Sequence, residues 1–103
     1  MIELSTDNLH EVIKEHDRVF VQYGATWCGN CRMIKPKIKK LAAGKENVHF
    51  IYVDAEKFPE SRGLADVANL PTFATFKGGE RTAQFTGSKF ETVEGMFNEI
   101  ANN

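Results

Sequence analysis

Apolar positions along this chain recur at two spacings, and the spacing changes mark the elements. Residues 2–5 ("IELS") predict a short strand. Residues 6–17 put Leu9, Val12, Ile13 and His16 on one helical face, with Thr6 or Asp7 as N-cap. Residues 18–25 ("RVFVQYGA") are nearly continuous in apolar character, which suits a strand covered on both faces of a sheet. Residues 30–45 return to helical spacing through Met33, Ile34, Ile38, Leu41 and Ala42, with a kink expected at Pro36 and a C-cap at Gly44. Residues 47–54 predict a second buried strand, and residues 58–68 a short helix with Pro59 near its first turn. Residues 72–77 and 81–87, joined by Gly78 and Gly79, predict a hairpin. Residues 88–103 form a last amphipathic helix, capped by Ser88, with Phe90, Val93, Phe97 and Ile100 inward. Strand–helix alternation followed by a hairpin implies an α/β domain whose sheet is mostly parallel and ends antiparallel.

Composition narrows the function. The 103 residues suffice for one core, so one domain is expected over residues 1–103. A net charge of −1 argues against binding nucleic acid by phosphate neutralisation. No apolar run approaches the length of a membrane span, so no membrane partner is expected. The first seventeen residues mix charge with apolar positions and lack a signal-peptide core, which sets the expected compartment as the cytoplasm.

The chemistry lies in "ATWCGNCRMIKP", residues 25–36, which holds both cysteines, Cys28 and Cys31. A structural zinc site needs four ligands, and His10, His16 and His49 are not spaced to complete one, so no metal is expected. A structural staple is equally disfavoured: closing so short a ring gains roughly 2 kcal/mol, against about 4.7 kcal/mol for a 100-residue loop. A dithiol where a buried strand gives way to a helix fits redox work better. The helix N-terminus stabilises a thiolate on Cys28, which attacks a disulfide, and Cys31 resolves the mixed disulfide one turn on.

"WCGNCRMIKP" resembles the thioredoxin active-site segment, with Asn30 in place of the proline between the cysteines. "NLPTF" (69–73), "FKGGE" (76–80) and "FTGS" (85–88) resemble that family's proline loop, hairpin turn and glycine segment, in order along the whole chain. The resemblance implies the thioredoxin fold: a central five-stranded mixed sheet flanked by four helices. It implies reduction of protein disulfides without a bound cofactor, by a monomer recharged through a thioredoxin reductase. It also implies roles. Trp27 covers the site and docks partners, and Gly29 permits the tight turn into the helix. Pro71 is cis, which leaves the Leu70 backbone open to an extended substrate segment as in β-augmentation. Gly87 leaves a flat surface. Arg32 and Lys35 tune the thiol and steer acidic partners, while Lys37, Lys39 and Lys40 read as a solvated face. Lys77, Lys89 and the acidic stretch 55–60 read as ordinary surface.

Three departures bear on tuning. Asn30 replaces proline. Gln22 stands where the family carries a buried aspartate, and Phe50 where it carries the lysine paired with that aspartate. Losing both charges together avoids an uncompensated buried ion, but Gln22 cannot take a proton from Cys31. Gly24 replaces a usual tryptophan, which is expected to trim the wall near the site. Two alternatives share these residues: a net oxidant or isomerase, and a binding subunit with a dispensable dithiol.

Overall fold

The strand at residues 18–24 is apolar except at its first residue, Gln22 and its terminal glycine, so it is stable only where both faces are covered. In a computed structural model describing residues 1–102, that is where it lies. The elements run β1 (Ile2–Glu3), α1 (Leu9–Glu15), β2 (Arg18–Gly24), α2 (Gly29–Ala43), β3 (His49–Asp54), α3 (Pro59–Arg62), β4 (Thr72–Lys77), β5 (Glu80–Thr86) and α4 (Phe90–Asn102). The sheet order is β1-β3-β2-β4-β5, with β2 at the centre. β2 pairs parallel with β3 and antiparallel with β4, from Phe20 opposite Phe50 and Thr75 to Gln22 opposite Tyr52 and Phe73. The β1–β3 pairing is parallel and the β4–β5 pairing antiparallel, so the sheet is evenly divided rather than mostly parallel.

Alternation along the strands builds two cores. Val19, Val21 and Tyr23 join Ile51, Val53, Ala74 and Phe76 on the face covered by Leu9 and Ile13 of α1. Phe20, Phe50 and Phe73 point the other way, onto Ile34 and Ile38 of α2 and Val93, Phe97 and Ile100 of α4. Phe20 is the centre of that second core, its ring 5.2 Å from Phe97, 5.8 Å from Phe73 and 6.1 Å from Phe50. Offset and edge-on pairs of this kind add to the area term about 0.5–1.5 kcal/mol each.

The departures from expectation lie at element ends. Asn8, not Thr6 or Asp7, occupies the N-cap of α1, and it makes no side-chain cap bond. Asp7 instead caps α3, its carboxylate accepting the N–H groups of Glu60 (2.9 Å) and Ser61 (2.7 Å). Ser61 Oγ in turn accepts the Leu9 N–H at the start of α1 (3.1 Å). The two helices therefore cap each other, which sequence spacing cannot reveal because the partners are more than fifty residues apart. His16 lies beyond the end of α1, where its ring stacks on His49 at 3.8 Å instead of lining the helix face. Met33 is exposed because the buried stripe of α2 runs through Cys31, Ile34 and Ile38, a turn edge away from it. α2 continues through Pro36, whose missing N–H leaves the Arg32 carbonyl without its helical donor. α3 ends at Arg62 and passes into i→i+3 turns, with Leu64 donating to Ser61 and Ala65 to Arg62, instead of running to residue 68. Lys89, not Ser88, supplies the carbonyl that receives the first N–H groups of α4. The last position of that predicted helix, Asn103, lies outside the described residues.

Burial opposes ionisation of Asp7, but the hydrogen bonds from Ser61 and Glu60 and the nearby His10 outweigh it and hold the carboxyl below its ordinary value of 3.8. A depressed carboxyl stabilises the folded state above the unfolded pKa and ceases to do so as pH falls through the folded one. The stability gap between wild type and Asp7→Ala, measured by urea unfolding, should be full at neutral pH and shrink as pH drops below about 3.8. Ser61→Ala should cost about 1–2 kcal/mol at neutral pH. A pH-independent Asp7 gap would contradict the capping role.

Candidate active site

β2 ends at Gly24, and four residues later the chain reaches Cys28, the N-cap of α2. Cys28 has extended backbone angles (φ −84°, ψ 103°), which lay its sulfur over the first helical turn. There the sulfur accepts the Cys31 N–H at 3.1 Å, the bond that a serine or aspartate oxygen makes at an ordinary cap. No acidic residue occupies that turn. A thiolate at this position faces free N–H groups and the positive end of the helix dipole. Cys28 and Cys31 are joined as a disulfide, with Cα atoms 5.3 Å apart. Cys31 is fully buried and Cys28 is 5% exposed, so one edge of the couple reaches the surface at Cys28.

The surrounding loops are tied to one another. Leu70 packs on the cluster of Ala25, Cys28 and Cys31. The Leu70–Pro71 bond is cis, and the Pro71 carbonyl accepts the Gly87 N–H at 3.0 Å. Gly87 has φ +136°, and a Cβ there would lie 3.3 Å from the Phe85 ring, so this junction requires glycine. Trp27 is 64% exposed, and its indole N–H donates to Glu56 Oε1 at 2.8 Å. Asp54 accepts the N–H groups of Glu56 and Lys57 and so fixes the turn that presents Glu56. The acidic stretch is thus more than surface, because Glu56 orients the tryptophan.

Behind the dithiol lies Gln22, fully buried on the α2 face of the sheet. Its Nε2 donates to the Cys31 carbonyl at 3.1 Å, while its buried Oε1 has no partner among the described residues. Its register neighbour on β3 is Tyr52, whereas Phe50 lies opposite Phe20 in the core, away from the cysteine cluster. Tyr52 also changes the expectation for Gly24. A Cβ on Gly24 would sit 2.2 Å from Tyr52 Oη and 2.8 Å from Cζ. The wall is therefore not trimmed: the Tyr52 ring fills the space above Gly24. Burial, then Asp54 and Glu3, raise the Tyr52 phenol above its usual pKa and keep it neutral.

The remaining candidates separate. Lys35 pairs with Glu3 and lies 4.0 Å over the Tyr52 ring, so its charge is engaged behind the site. Arg32 donates to the Thr26 carbonyl at 3.3 Å in the loop before Cys28. Asn30 is exposed, and the donor to the Cys28 sulfur is the Cys31 N–H. Gly29 has no positive φ, and a Cβ there meets nothing within 4 Å, so the turn into α2 does not depend on glycine's conformational range. Tyr52 and Glu56 escape sequence reasoning. The one available signal is a glycine inside a buried strand, which calls for a bulky neighbour to fill its space.

A family profile described as thioredoxin matches residues 1–101. The chain belongs to the thioredoxin family. Thioredoxin from Homo sapiens is 38% identical over 82 residues, covering 80% of this chain and 78% of that one. The structure of Fasciola hepatica thioredoxin superposes with a TM-score of 0.88 at 30% identity, over 96% of this chain and 98% of that one. The oxidised mitochondrial thioredoxin 3 of Saccharomyces cerevisiae gives 0.87 at 26% identity, over 96% and 94%. With its close cysteine pair, this thioredoxin-family protein is a thiol–disulfide oxidoreductase of the protein-disulfide reductase type.

The contact between Gly24 and Tyr52 yields a test of the wall. Gly24→Ala should lower stability by about 1–3 kcal/mol, the usual cost of overpacking. Removing the ring in a Tyr52→Ala background should abolish most of that cost, a coupling that a double-mutant cycle in urea would measure. Additive losses would show that the ring does not occupy the space.

Proposed function

We propose that Cys28 is the nucleophile and Cys31 the resolving thiol in reduction of protein disulfides. The observation that carries this reading is the Cys28 sulfur at the N-cap of α2, accepting the Cys31 N–H at the surface edge of the couple. In the reduced protein the Cys28 thiolate attacks one sulfur of a substrate disulfide. The substrate S–S bond breaks, a Cys28–substrate bond forms, and the other substrate sulfur leaves as a thiolate that takes up a proton. Cys31 then loses its proton and attacks Cys28 Sγ. The mixed disulfide breaks, the second substrate thiol leaves, and the Cys28–Cys31 disulfide carries the two electrons' worth of oxidation. Leu70, beside cis-Pro71, offers its backbone to the extended substrate, with Trp27, Gly29, Asn30 and Gly87 around it.

The couple returns to the dithiol by the same exchange with an external reductant, and a thioredoxin reductase is the partner the family supplies. A reducing compartment suits that cycle, so we assign the protein to the cytoplasm, acting in electron transport as a monomer built on one domain. Gln22 modifies the couple. It brings no negative charge near the thiols, so it does not oppose the Cys28 thiolate, and a stabilised thiolate makes a couple more oxidising. That supports a second reading in which the protein works nearer the oxidant end of the family.

Prereduced Cys31→Ser protein should accumulate a mixed disulfide with a protein substrate, detectable by mass spectrometry, whereas Cys28→Ser should not. Iodoacetamide at pH 7 should modify Cys28 of the reduced wild type well before Cys31, and the reverse order would sink the assignment. Gln22→Asp should lower the reduction potential in glutathione buffers by tens of millivolts, where 30 mV corresponds to about 1.4 kcal/mol. A rise instead would overturn the electrostatic argument.

A further inference from the structure

Beside the dithiol runs a groove lined by Trp27, Glu56, Arg62, Ala68, Asn69 and Leu70. Trp27 directly precedes Cys28, and Leu70 packs on the cluster that holds both cysteines, so the groove adjoins the redox couple. It holds two opposite charges that do not pair. Glu56 Oε1 is occupied by the Trp27 indole N–H at 2.8 Å. Arg62 turns its Nε and Nη2 onto one neutral acceptor, the Val67 carbonyl, at 3.1 and 2.7 Å. Among the described residues no carboxylate forms an ion pair with Arg62. Among the described residues its Nη1 has no hydrogen-bond partner, although a guanidinium carries five N–H donors.

The geometry points to Arg62 as a specificity determinant that selects substrate segments with an acidic side chain close to the reactive cysteine. This inference rests on the proposed reduction at Cys28. Three features favour an acidic over a basic segment. Arg62 is half-buried, so water and salt screen it less than the exposed Glu56. Both of its bonds go to a single carbonyl, which fixes the plane of the guanidinium while leaving its charge uncompensated. One oxygen of the Glu56 carboxylate is already occupied by the Trp27 indole N–H, and the first turn of α2 contributes no acid to oppose an incoming carboxylate. An extended segment laid along Leu70, with its disulfide at Cys28, directs a flanking side chain into this groove. A carboxylate there gains an ion pair together with a hydrogen bond, whereas a glutamine oxygen gains only the hydrogen bond and a lysine gains neither.

The test uses the full chain, prereduced, and three synthetic disulfide-bonded peptides that differ only in Glu, Gln or Lys, placed in turn at the two positions on either side of the reactive cysteine. The readout is the ratio of kcat/KM among the three peptides within each protein variant. In wild type at low ionic strength, the Glu peptide at one of these positions should exceed the Lys peptide by about fivefold, the scale of a partly exposed ion pair. The preference should shrink in high salt. Arg62→Lys should keep it, Arg62→Gln should abolish it and Arg62→Glu should invert it. Equal rates for all three peptides in wild type would overturn the proposal, as would a preference that survives in Arg62→Gln. A purely structural Arg62 would depress every peptide alike and leave the ratios unchanged, which also overturns it. Absence of turnover even with the Gln peptide would instead refute the reduction chemistry beneath it.

Discussion

Strand β2 is buried on both faces, and its backbone is flanked by β3 and β4, so each of its polar groups has to find a partner within the sheet. This requirement positions much of the rest. Because side chains alternate, a slip of one residue would carry Phe20 and Gln22 to the face of α1 and bring Val19, Val21 and Tyr23 under α2 and α4. The register is therefore strongly specified, and the position of Gly24 with it. Four residues later the sulfur of Cys28 arrives at the start of α2, where the Cys31 N–H meets it. Placement of the redox couple is a consequence of strand register before it is a matter of cysteine chemistry.

Much of this was legible in the chain. The apolar runs of β2 and β3 and the paired glycines at 78–79 each specify a local structure that the tertiary contacts reinforce. The cysteine spacing was legible for the same reason, since a three-residue step across a helix cap has one geometry. What escaped were interactions between residues far apart in sequence. Asp7 scores well as a local cap, and it is a cap, but of a helix that begins at residue 59. Glu56 looks like solvated charge until the fold brings Trp27 to it. Met33 has the right residue type and nearly the right spacing, yet it falls off the buried stripe by the angular step of one residue.

The departures from the family pattern also belong together once seen in three dimensions. Gly24 and Tyr52 exchange volume across β2 and β3, so a bulky residue lost from one strand is replaced by a ring from its neighbour. Gln22 sits between that exchange and the dithiol, hydrogen-bonded to Cys31 through its amide nitrogen and, among the described residues, without a partner at its oxygen. The wall behind the couple is thus closed in shape and neutral at position 22. Lys35, beside the Tyr52 ring of that wall, is drawn off to Glu3.

The reciprocal capping of α1 and α3 has a consequence for motion. The Leu9 N–H is held only while α3 presents Ser61, and α3 is capped only while Asp7 stays in place. Neither helix is long: α1 has seven residues and α3 four, well below the length at which an isolated helix persists in water. The two should therefore open together, as one cooperative unit in amide hydrogen exchange, although the rest of α1 and α3 share few contacts. Arg62 is the last residue of α3, so the same unit carries one wall of the groove beside the dithiol. Opening of this unit would therefore displace Arg62 from the groove beside the dithiol.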